Sequence, residues 1–466
     1  MIPANVRAAR PLVHAITNYV TMDWVARGLL AAGARPVMAR DGAEAPAMAA
    51  AADALLLNLG TWSPAVHAAM LEAGRVASER GIPIVLDPVG AGAMPTRTKA
   101  ALELLGELKV TAIRGNAGEI AALAGITGGV RGVDSVAANS TAAVARKVAL
   151  QHNCITIATG TVDMLTDGRR TLEVKSGRPL MAQIPGAGCL ASALTAAALA
   201  TAAHDPLQSA AQALLWAGLA GELAAAVAAG PGSFAPAFLD RLAAVDTLPA
   251  GRITPPLADR LALYVIVSGT TPLPVLEQIL AAGAGSIQFR EKHLPFREQV
   301  PIARSMGELC HRHGALFLIN DRADLALTVG ADGVHLGQDD LPLPEARRLL
   351  GPEALLGATC ETEDEARTAV AEGADYIGTG PVYATPSKAD AGEPYGPAVV
   401  GWVSRAAAPV PVIGIGGIGP GGAAPVIAAG GCGVAVISSV VNAPDPGAAT
   451  RTLLAEIAAA KGVTNP

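Results

Sequence analysis

The sequence predicts two different α/β folds in tandem, the second a (β/α)8 TIM barrel. Three observations carry that prediction. Apolar runs of strand length alternate throughout with Ala/Leu/Glu/Arg stretches of helical period, the pattern of parallel sheets covered by helices. Eight such strand–helix units fill the last roughly 200 residues, the count of a (β/α)8 barrel. Between the halves, the stretch VDTLPAGRITPP from Val245 to Pro256 holds three prolines and a glycine and follows neither period, which marks a linker. No repeat relates the two halves. The expected domains are residues 1–245 and 258–466, with the linker at 246–257.

Composition narrows the function. The chain has 466 residues, 51% apolar and 16% charged. That much apolar surface offsets chain entropy and excludes a disordered protein. At about 150 residues per domain the length fits two or three domains. A net charge of −6 and 3% aromatics argue against nucleic-acid binding, which needs a basic face and stacking rings. The opening MIPANVRAARPLVHAITNYV lacks the apolar core of a signal peptide. The most apolar stretch, Leu190 to Ala203, is too short to span a bilayer, so no membrane partner is expected. Five cysteines, scattered and without metal-ligand spacing, point to a reducing, cytoplasmic setting.

In the second half the strand-like segments are Leu263–Val267, Ser286–Arg290, Leu316–Asn320, Gly333–Leu336, Leu355–Thr359, Tyr376–Thr379, Val412–Ile415 and Val434–Ile437. Barrels of this type place chemistry at the C-terminal strand ends, with a phosphate site after strands seven and eight. The polar residues fall there. Gln288, Arg290 and Lys292 close the second segment, Asn320 and Asp321 the third, and Asp340 follows the fourth. Thr385, Ser387 and Lys388 follow the sixth, Gly416 and Gly417 the seventh, and Ser438 the eighth.

Glycines let backbone N–H groups approach a phosphate, and Ser438 adds a hydroxyl donor. Asp321 and Asp340 are hard oxygen ligands suited to Mg²⁺ bound together with substrate phosphates. Arg290, Lys292 and Lys388 can neutralise a diphosphate. The half has only three lysines, and two of them stand at strand ends. Singly, a loop Asp is most often a cap or turn residue, and a GIGGI run is most often tight packing. Six such features at successive strand ends of one barrel exceed that reading. No nucleophile–base pair is evident. An ionising substitution needs none, because a metal and cations stabilise the departing charge.

From about Leu263 onward the chain resembles thiamine-phosphate synthase. The motifs that carry the resemblance are QFREK, NDRADLAL, GADGVHLGQDDL, ADYIGTGPVYATPSK, PVIGIGGI and GVAVISS. The resemblance implies that Gln288, Arg290, Lys292, Asn320, Thr359 and Lys388 hold a pyrimidine diphosphate. It implies Mg²⁺ at Asp321 and Asp340, and a thiazole phosphate at Thr385, Ser387, Gly417, Ile437 and Ser438. Thr359 departs from the Ser common in the family but keeps the hydroxyl.

The first half has its own phosphate chemistry. In Ile184-Pro185-Gly186-Ala187-Gly188-Cys189, glycines precede a helix and form a backbone cradle for an anion. Asp87, Arg114, Glu119 and Thr159 follow strand-like runs, where open α/β sheets bind ligands.

From about Val13 to Ala228 this half resembles the ribokinase-like three-layer α/β kinases, and among them hydroxyethylthiazole kinase. The stretches are HAITNYVTMDWVARGLLAAGARPVMA, LLLNLGTW, VLDPVGAGA, IRGNAGEI and IPGAGC. Related kinases usually carry Asp at the end of the GAGx turn, as a base on the substrate hydroxyl; the thiazole kinases carry Cys, here Cys189. The resemblance implies ATP contacts at Arg114 and Thr159, thiazole contacts at Met38 and Gly186, and Mg²⁺ supported by Asp87 with Glu119. It also implies a homo-oligomer formed through this half.

A helix N-terminus lowers a thiol pKa, so Cys189 is either a thiolate base or a group that positions the hydroxyl; the sequence leaves both open. His14, Trp24 and Trp62 read as packing residues, and Asp23, where the family often has Asn, is given no role. The halves combine into one expectation. ATP phosphorylates 4-methyl-5-(2-hydroxyethyl)thiazole in the first, and the second joins that phosphate to the hydroxymethylpyrimidine diphosphate, giving thiamine monophosphate and pyrophosphate. The alternatives are a kinase for another small vitamin alcohol, disfavoured by Cys189, and a half that only binds thiamine phosphates, disfavoured by the nearly complete set of polar site residues.

Overall fold

In a computed structural model, the structure describes residues 1–126, 138–202, 204–385 and 393–462. The chain forms two compact units, Met1–Pro255 and Pro256–Pro466.

The first unit is built on a nine-stranded sheet. Its strands are β1 (Leu12–Ile16), β2 (Arg35–Val37), β3 (Ala54–Asn58), β4 (Ile84–Asp87), β5 (Ala112–Asn116), β6 (Ile155–Thr159), β7 (Asp163–Thr166), β8 (Thr171–Val174) and β9 (Ile253–Thr254), in the order β2-β1-β3-β4-β5-β6-β7-β8-β9. Pairing is parallel from β2 through β6 and antiparallel from β6 through β9. Side chains alternate across a strand, and here they feed two cores. Leu56 and Val85 join an apolar cluster on one face with the helices Ala187–Ala200 and Pro206–Ala225. Leu55, Leu57 and Leu86 join a second cluster with the helices Pro64–Arg80 and Pro95–Glu107. The result is three layers, as expected.

Two features differ from the sequence reading. The parallel sheet is extended by an antiparallel edge, β6 through β9, which the sequence pattern did not single out. Within the segment expected as linker, Ile253 and Thr254 pair with Val174 and Glu173. Two β-branched residues next to the open edge of β8 complete its ladder and give its unpaired backbone groups partners, which favours pairing over a free connection.

The second unit is a closed barrel of eight parallel strands. They are β10 (Leu263–Val267), β11 (Ser286–Phe289), β12 (Leu316–Asn320), β13 (Gly333–Leu336), β14 (Leu355–Thr359), β15 (Tyr376–Thr379), β16 (Val412–Ile415) and β17 (Gly433–Val436). Each lies within one residue of its expected segment. Leu263, Val265 and Val267 point into the cluster beneath the helices; Tyr264 and Ile266 point into the barrel, where they meet Leu318, Tyr376 and Ile413. Among the described residues no helix is long and apolar enough to cross a membrane.

Candidate active sites

The first site gathers at the carboxyl ends of β1, β3 and β4, against the start of the helix Ala187–Ala200. Gly186 caps that helix at φ 88°. A Cβ there would fall 2.6 Å from Thr21 Cγ2, so only glycine fits the turn. Cys189 follows three residues later. Its Sγ is 3.4 Å from Asn18 Nδ2 and 3.3 Å from Asn58 Nδ2. Asn58 is fully buried. Its Oδ1 accepts hydrogen bonds from Asn18 Nδ2 and the Gly60 N–H, both at 3.0 Å. That fixes the amide so that Nδ2 faces the thiol and donates to Asp87 Oδ2 at 2.8 Å. Ser192 Oγ donates to the same carboxylate oxygen at 2.9 Å.

Burial pushes the Asp87 carboxyl up to about 6, opposed by the Arg114 guanidinium and by the donors Ser192 and Asn58. Burial and then the neighbouring Asp87 push the Cys189 thiol up as well. This corrects the expectation that the helix start lowers it. Desolvation and a carboxylate disfavour the thiolate more than the helix end and the amide donors favour it.

Arg114, on β5, donates through Nη2 to Thr159 Oγ1 at 3.0 Å, and Thr159 in turn donates to the Gly115 carbonyl at 3.2 Å. A Cβ on Gly188 would lie 2.6 Å from Arg114 Nη1, so the guanidinium lies directly against the glycine turn. Glu119 is committed to backbone: Oε1 accepts from the Gly90 N–H at 2.9 Å and Oε2 from the Asn116 N–H at 2.8 Å. It thereby ties the loop after β4 to the helix Ala117–Leu123. Met38 follows β2 and packs against the same apolar cluster as Cys189. His14 is buried with Nε2 2.7 Å from the Ala39 carbonyl oxygen, a structural role. Asn18, Asn58 and Ser192 escaped the sequence reading, because short polar residues after a strand or within a helix carry no motif of their own.

The second site is a cavity of about 710 Å³ at the carboxyl ends of the barrel strands. Gln288, Arg290, Lys292, Asn320, Asp321, Asp340, Thr359, Thr385, Gly417, Ile437 and Ser438 all line it. Ser387 and Lys388 lie outside the described residues. In the QFREK run, Glu291 separates the two cations and does another task. Despite partial burial, backbone N–H groups of His293, Gly269 and Leu294 hold its carboxyl below the usual range. Glu291 thus shapes the loop that carries Arg290 and Lys292.

Asp321 sits in the left-handed region at φ 61°, with its N–H donated to the His335 carbonyl at 2.8 Å. Burial and the adjacent Asp340 raise its carboxyl to about 6, while Lys292, 3.8 Å away, and Arg290 act against the rise. Asp340 Oδ2 accepts the Gly337 N–H at 2.7 Å. Two carboxylates therefore face each other, with Lys292 and Arg290 as the cations that act on them. At the other rim Gly416 and Gly417 have φ 104° and 63°, and a Cβ on Gly417 would fall 2.5 Å from the Ala384 carbonyl oxygen. Ser439 donates to the Ile418 carbonyl at 2.9 Å, which anchors the turn beside Ser438.

The cavity floor is polar, which the sequence did not foretell. Gln288 Nε2 donates to Tyr264 Oη at 3.0 Å, and Tyr264 and Tyr376 hydroxyls are 2.9 Å apart. Tyr376 Oη is 3.1 Å from His335 Nδ1, and His335 Nε2 is 3.0 Å from Thr359 Oγ1. Burial lowers the imidazole to about 4 and raises the Tyr264 hydroxyl and that of Tyr376 above their ordinary value.

Comparison with known proteins gives the same division of the chain. Residues 4–247 match the model of the hydroxyethylthiazole kinase family, and residues 263–440 match that of thiamine monophosphate synthase. A thiamine biosynthesis bifunctional protein, ThiM/ThiE, of Symbiobacterium thermophilum is 65% identical over 99% of this chain and 98% of its own length. A hydroxyethylthiazole kinase of Desulforudis audaxviator is 52% identical, covering 51% of this chain and 88% of that relative. A thiamine-phosphate synthase of Moorella thermoacetica is 50% identical, covering 43% of this chain and 97% of that relative.

Proposed function

The chain belongs to the hydroxyethylthiazole kinase family through its first unit and to the thiamine monophosphate synthase family through its second, and from that premise we propose how its own residues divide the work. It is a bifunctional enzyme of thiamine biosynthesis. The first unit phosphorylates 4-methyl-5-(2-hydroxyethyl)thiazole with ATP. The second condenses the thiazole phosphate with 4-amino-2-methyl-5-(diphosphooxymethyl)pyrimidine, giving thiamine monophosphate and pyrophosphate.

In the kinase site, Arg114 and Thr159 bind ATP, and Met38 and Gly186 bind the thiazole alcohol. Backbone N–H groups of the turn from Gly186 to Gly188 receive the transferring phosphate. Phosphoryl transfer is mainly positioning and charge stabilisation. Cys189 acts as a thiol that positions the substrate hydroxyl; its raised pKa supports this over a thiolate base. Asp87 supplies a hard carboxylate for Mg²⁺, and Glu119 supports it by shaping the Gly90 loop.

In the synthase site, Gln288, Asn320 and Thr359 bind the pyrimidine diphosphate, together with Arg290, Lys292 and Lys388. Thr385, Ser387, Gly417, Ile437 and Ser438 bind the thiazole phosphate. The pyrimidine methylene C–O bond breaks, its electron pair leaves with the pyrophosphate, and the thiazole nitrogen bonds to that carbon. Arg290 and Lys292 receive the departing charge. Asp321 and Asp340 fit Mg²⁺: both are hard carboxylates, Asp340 adds to the raised proton affinity of Asp321, and a divalent cation would relieve that repulsion. When bound, the ion supplies charge neutralisation at the leaving group.

All five cysteines are free thiols, which suits a reducing compartment, and we place the enzyme in the cytoplasm. It assembles as a homo-oligomer through the kinase unit, for which Tyr19 and Val20, each 73% exposed directly after Asn18, offer apolar surface to cover.

The observation that carries this assignment is the convergence of the barrel residues on one cavity. The test is a coupled assay. Purified chain given the thiazole alcohol, ATP, the pyrimidine diphosphate and Mg²⁺ should form thiamine phosphate. Omitting ATP should stop it, and supplying thiazole phosphate should restore it. Failure of the restoration would remove the synthase assignment.

A further inference from the structure

The polar chain under the synthase cavity runs unbroken from Gln288 to Thr359, through Tyr264, Tyr376 and His335, with every step between 2.9 and 3.1 Å. Gln288, Tyr264 and Tyr376 are 2%, 1% and 0% exposed. The fold makes room for this chain: a Cβ on Gly357 would fall 2.2 Å from Tyr376 Cζ and 2.5 Å from His335 Nδ1. Both ends of the chain face the cavity.

Proton counting constrains such a chain. Each phenol has one proton to donate. The imidazole is partly buried, has no carboxylate among its hydrogen-bond partners and is held below its ordinary value by desolvation, so it is neutral and has one N–H. Hydrogen bonds must then run in one sense from end to end. In the first sense Gln288 Nε2 donates to Tyr264, Tyr264 to Tyr376, Tyr376 to His335 Nδ1, and His335 Nε2–H to Thr359. Gln288 Oε1 is then left as an acceptor and the Thr359 hydroxyl as a donor. In the opposite sense every role reverses. The amide of Gln288 is placed with Nε2 towards Tyr264, which selects the first.

We propose that Tyr264, Tyr376 and His335 are positioning residues that lock Gln288 as an acceptor and Thr359 as a donor, so that one proton-ordered chain reads both the amino group and an anionic oxygen of the pyrimidine diphosphate. This rests on the substrate assigned above. An amino group needs an acceptor and a phosphate oxygen needs a donor. The opposite sense would offer a donor to the first and a lone pair to the second, leaving both unpaired, a costly fault in a buried site. Discrimination follows: a pyrimidine diphosphate with an oxo group in place of the amino group meets the wrong partner at Gln288.

Two measurements test this. In protein carrying ¹⁵N-labelled histidine, with the His335 signals assigned by their loss in His335→Gln, the imidazole should be the Nε2–H tautomer at neutral pH. The Nδ1–H tautomer overturns the proposal and does not depend on activity. The second uses Tyr376→Phe, which keeps the ring and cuts the chain. The preference for the amino over the oxo substrate in kcat/KM should fall about tenfold, the size of one lost net hydrogen bond, while KM for thiazole phosphate stays unchanged. His335→Gln, which keeps one acceptor and one donor, should retain the preference, and His335→Leu should lose it. Equal losses on the amino and oxo substrates in Tyr376→Phe would mean a packing role only and overturn the proposal. Should the native chain make no thiamine phosphate from the supplied substrates, it is the assigned reaction that fails, and the tautomer still decides the proton order.

Discussion

Asn58 and Asp87 end adjacent parallel strands and are joined by a 2.8 Å hydrogen bond from Nδ2 to Oδ2. The same amide nitrogen reaches the Cys189 thiol at 3.3 Å. One side chain therefore holds both the thiol at the substrate turn and the carboxylate beneath it.

Replacing Asn58 by Leu strands the buried carboxylate with Ser192 alone. An unsatisfied buried polar group costs about 1–3 kcal/mol, so kinase kcat should fall roughly ten- to hundredfold. The synthase reaction on supplied thiazole phosphate should be unchanged. Kinase rates at the native level in the variant would remove Asn58 from the site.

Cys189→Ser and Cys189→Ala should separate. A positioning thiol is partly replaced by a hydroxyl that the Asn18 and Asn58 amides can still meet, so the Ser variant should keep kinase turnover within about tenfold of native while the Ala variant loses more. A catalytic thiolate would show instead as an alkaline rise in rate that disappears in both.

The carboxyl of Asp87 stands at about 6 in the fold against an ordinary 3.8. The folded chain therefore holds that proton where the unfolded chain has released it. Its contribution to stability is present below about pH 4 and is lost as the pH rises towards 6. Asp87→Asn, which does not titrate, should gain on the order of 1–3 kcal/mol relative to the native chain across that window, read by denaturant midpoints. It should still lack kinase activity.

Asp321 has a similar raised value, again from burial first, with the facing Asp340 adding to it. A divalent cation favours the doubly ionised pair, so the acid limb of the synthase profile should lie near pH 6 at low Mg²⁺ and move to lower pH as Mg²⁺ rises. Asp321→Asn should cut kcat/KM by about a hundredfold or more and remove that shift. A limb that ignores Mg²⁺ would separate the pair from metal binding.

Gly417→Ala places a Cβ 2.5 Å from the Ala384 carbonyl oxygen on a residue at φ 63°. The turn must shift, at a cost on the order of 1–3 kcal/mol. KM for thiazole phosphate should rise with KM for the pyrimidine diphosphate little changed, as measured by varying each substrate separately.

The strand pattern of the barrel was legible because each strand alternates its apolar residues between two cores, as Leu263, Tyr264 and Val265 do on β10. Its polar rim was legible because loops at one end of such a barrel carry residues that packing does not require. The edge strand β9 was not: two residues, Ile253 and Thr254, follow no period and become a strand only because β8 presents an open ladder. The level of the Cys189 thiol was misread for a related reason. The helix start is visible in the sequence, whereas the burial and the Asp87 neighbour that outweigh it come from distant segments.

By itself the sequence determined the two folds, their order and the cations and carboxylates at the strand ends, since these follow from local periodicity and from motifs of fixed spacing. Only the tertiary structure decided that Asn18, Asn58 and Ser192 enclose Cys189 and Asp87, and that two tyrosines and a histidine from three strands join Gln288 to Thr359. Hydrogen bonds between side chains depend on direction and on ångström distances, and residues on separate strands acquire both only when the sheet closes.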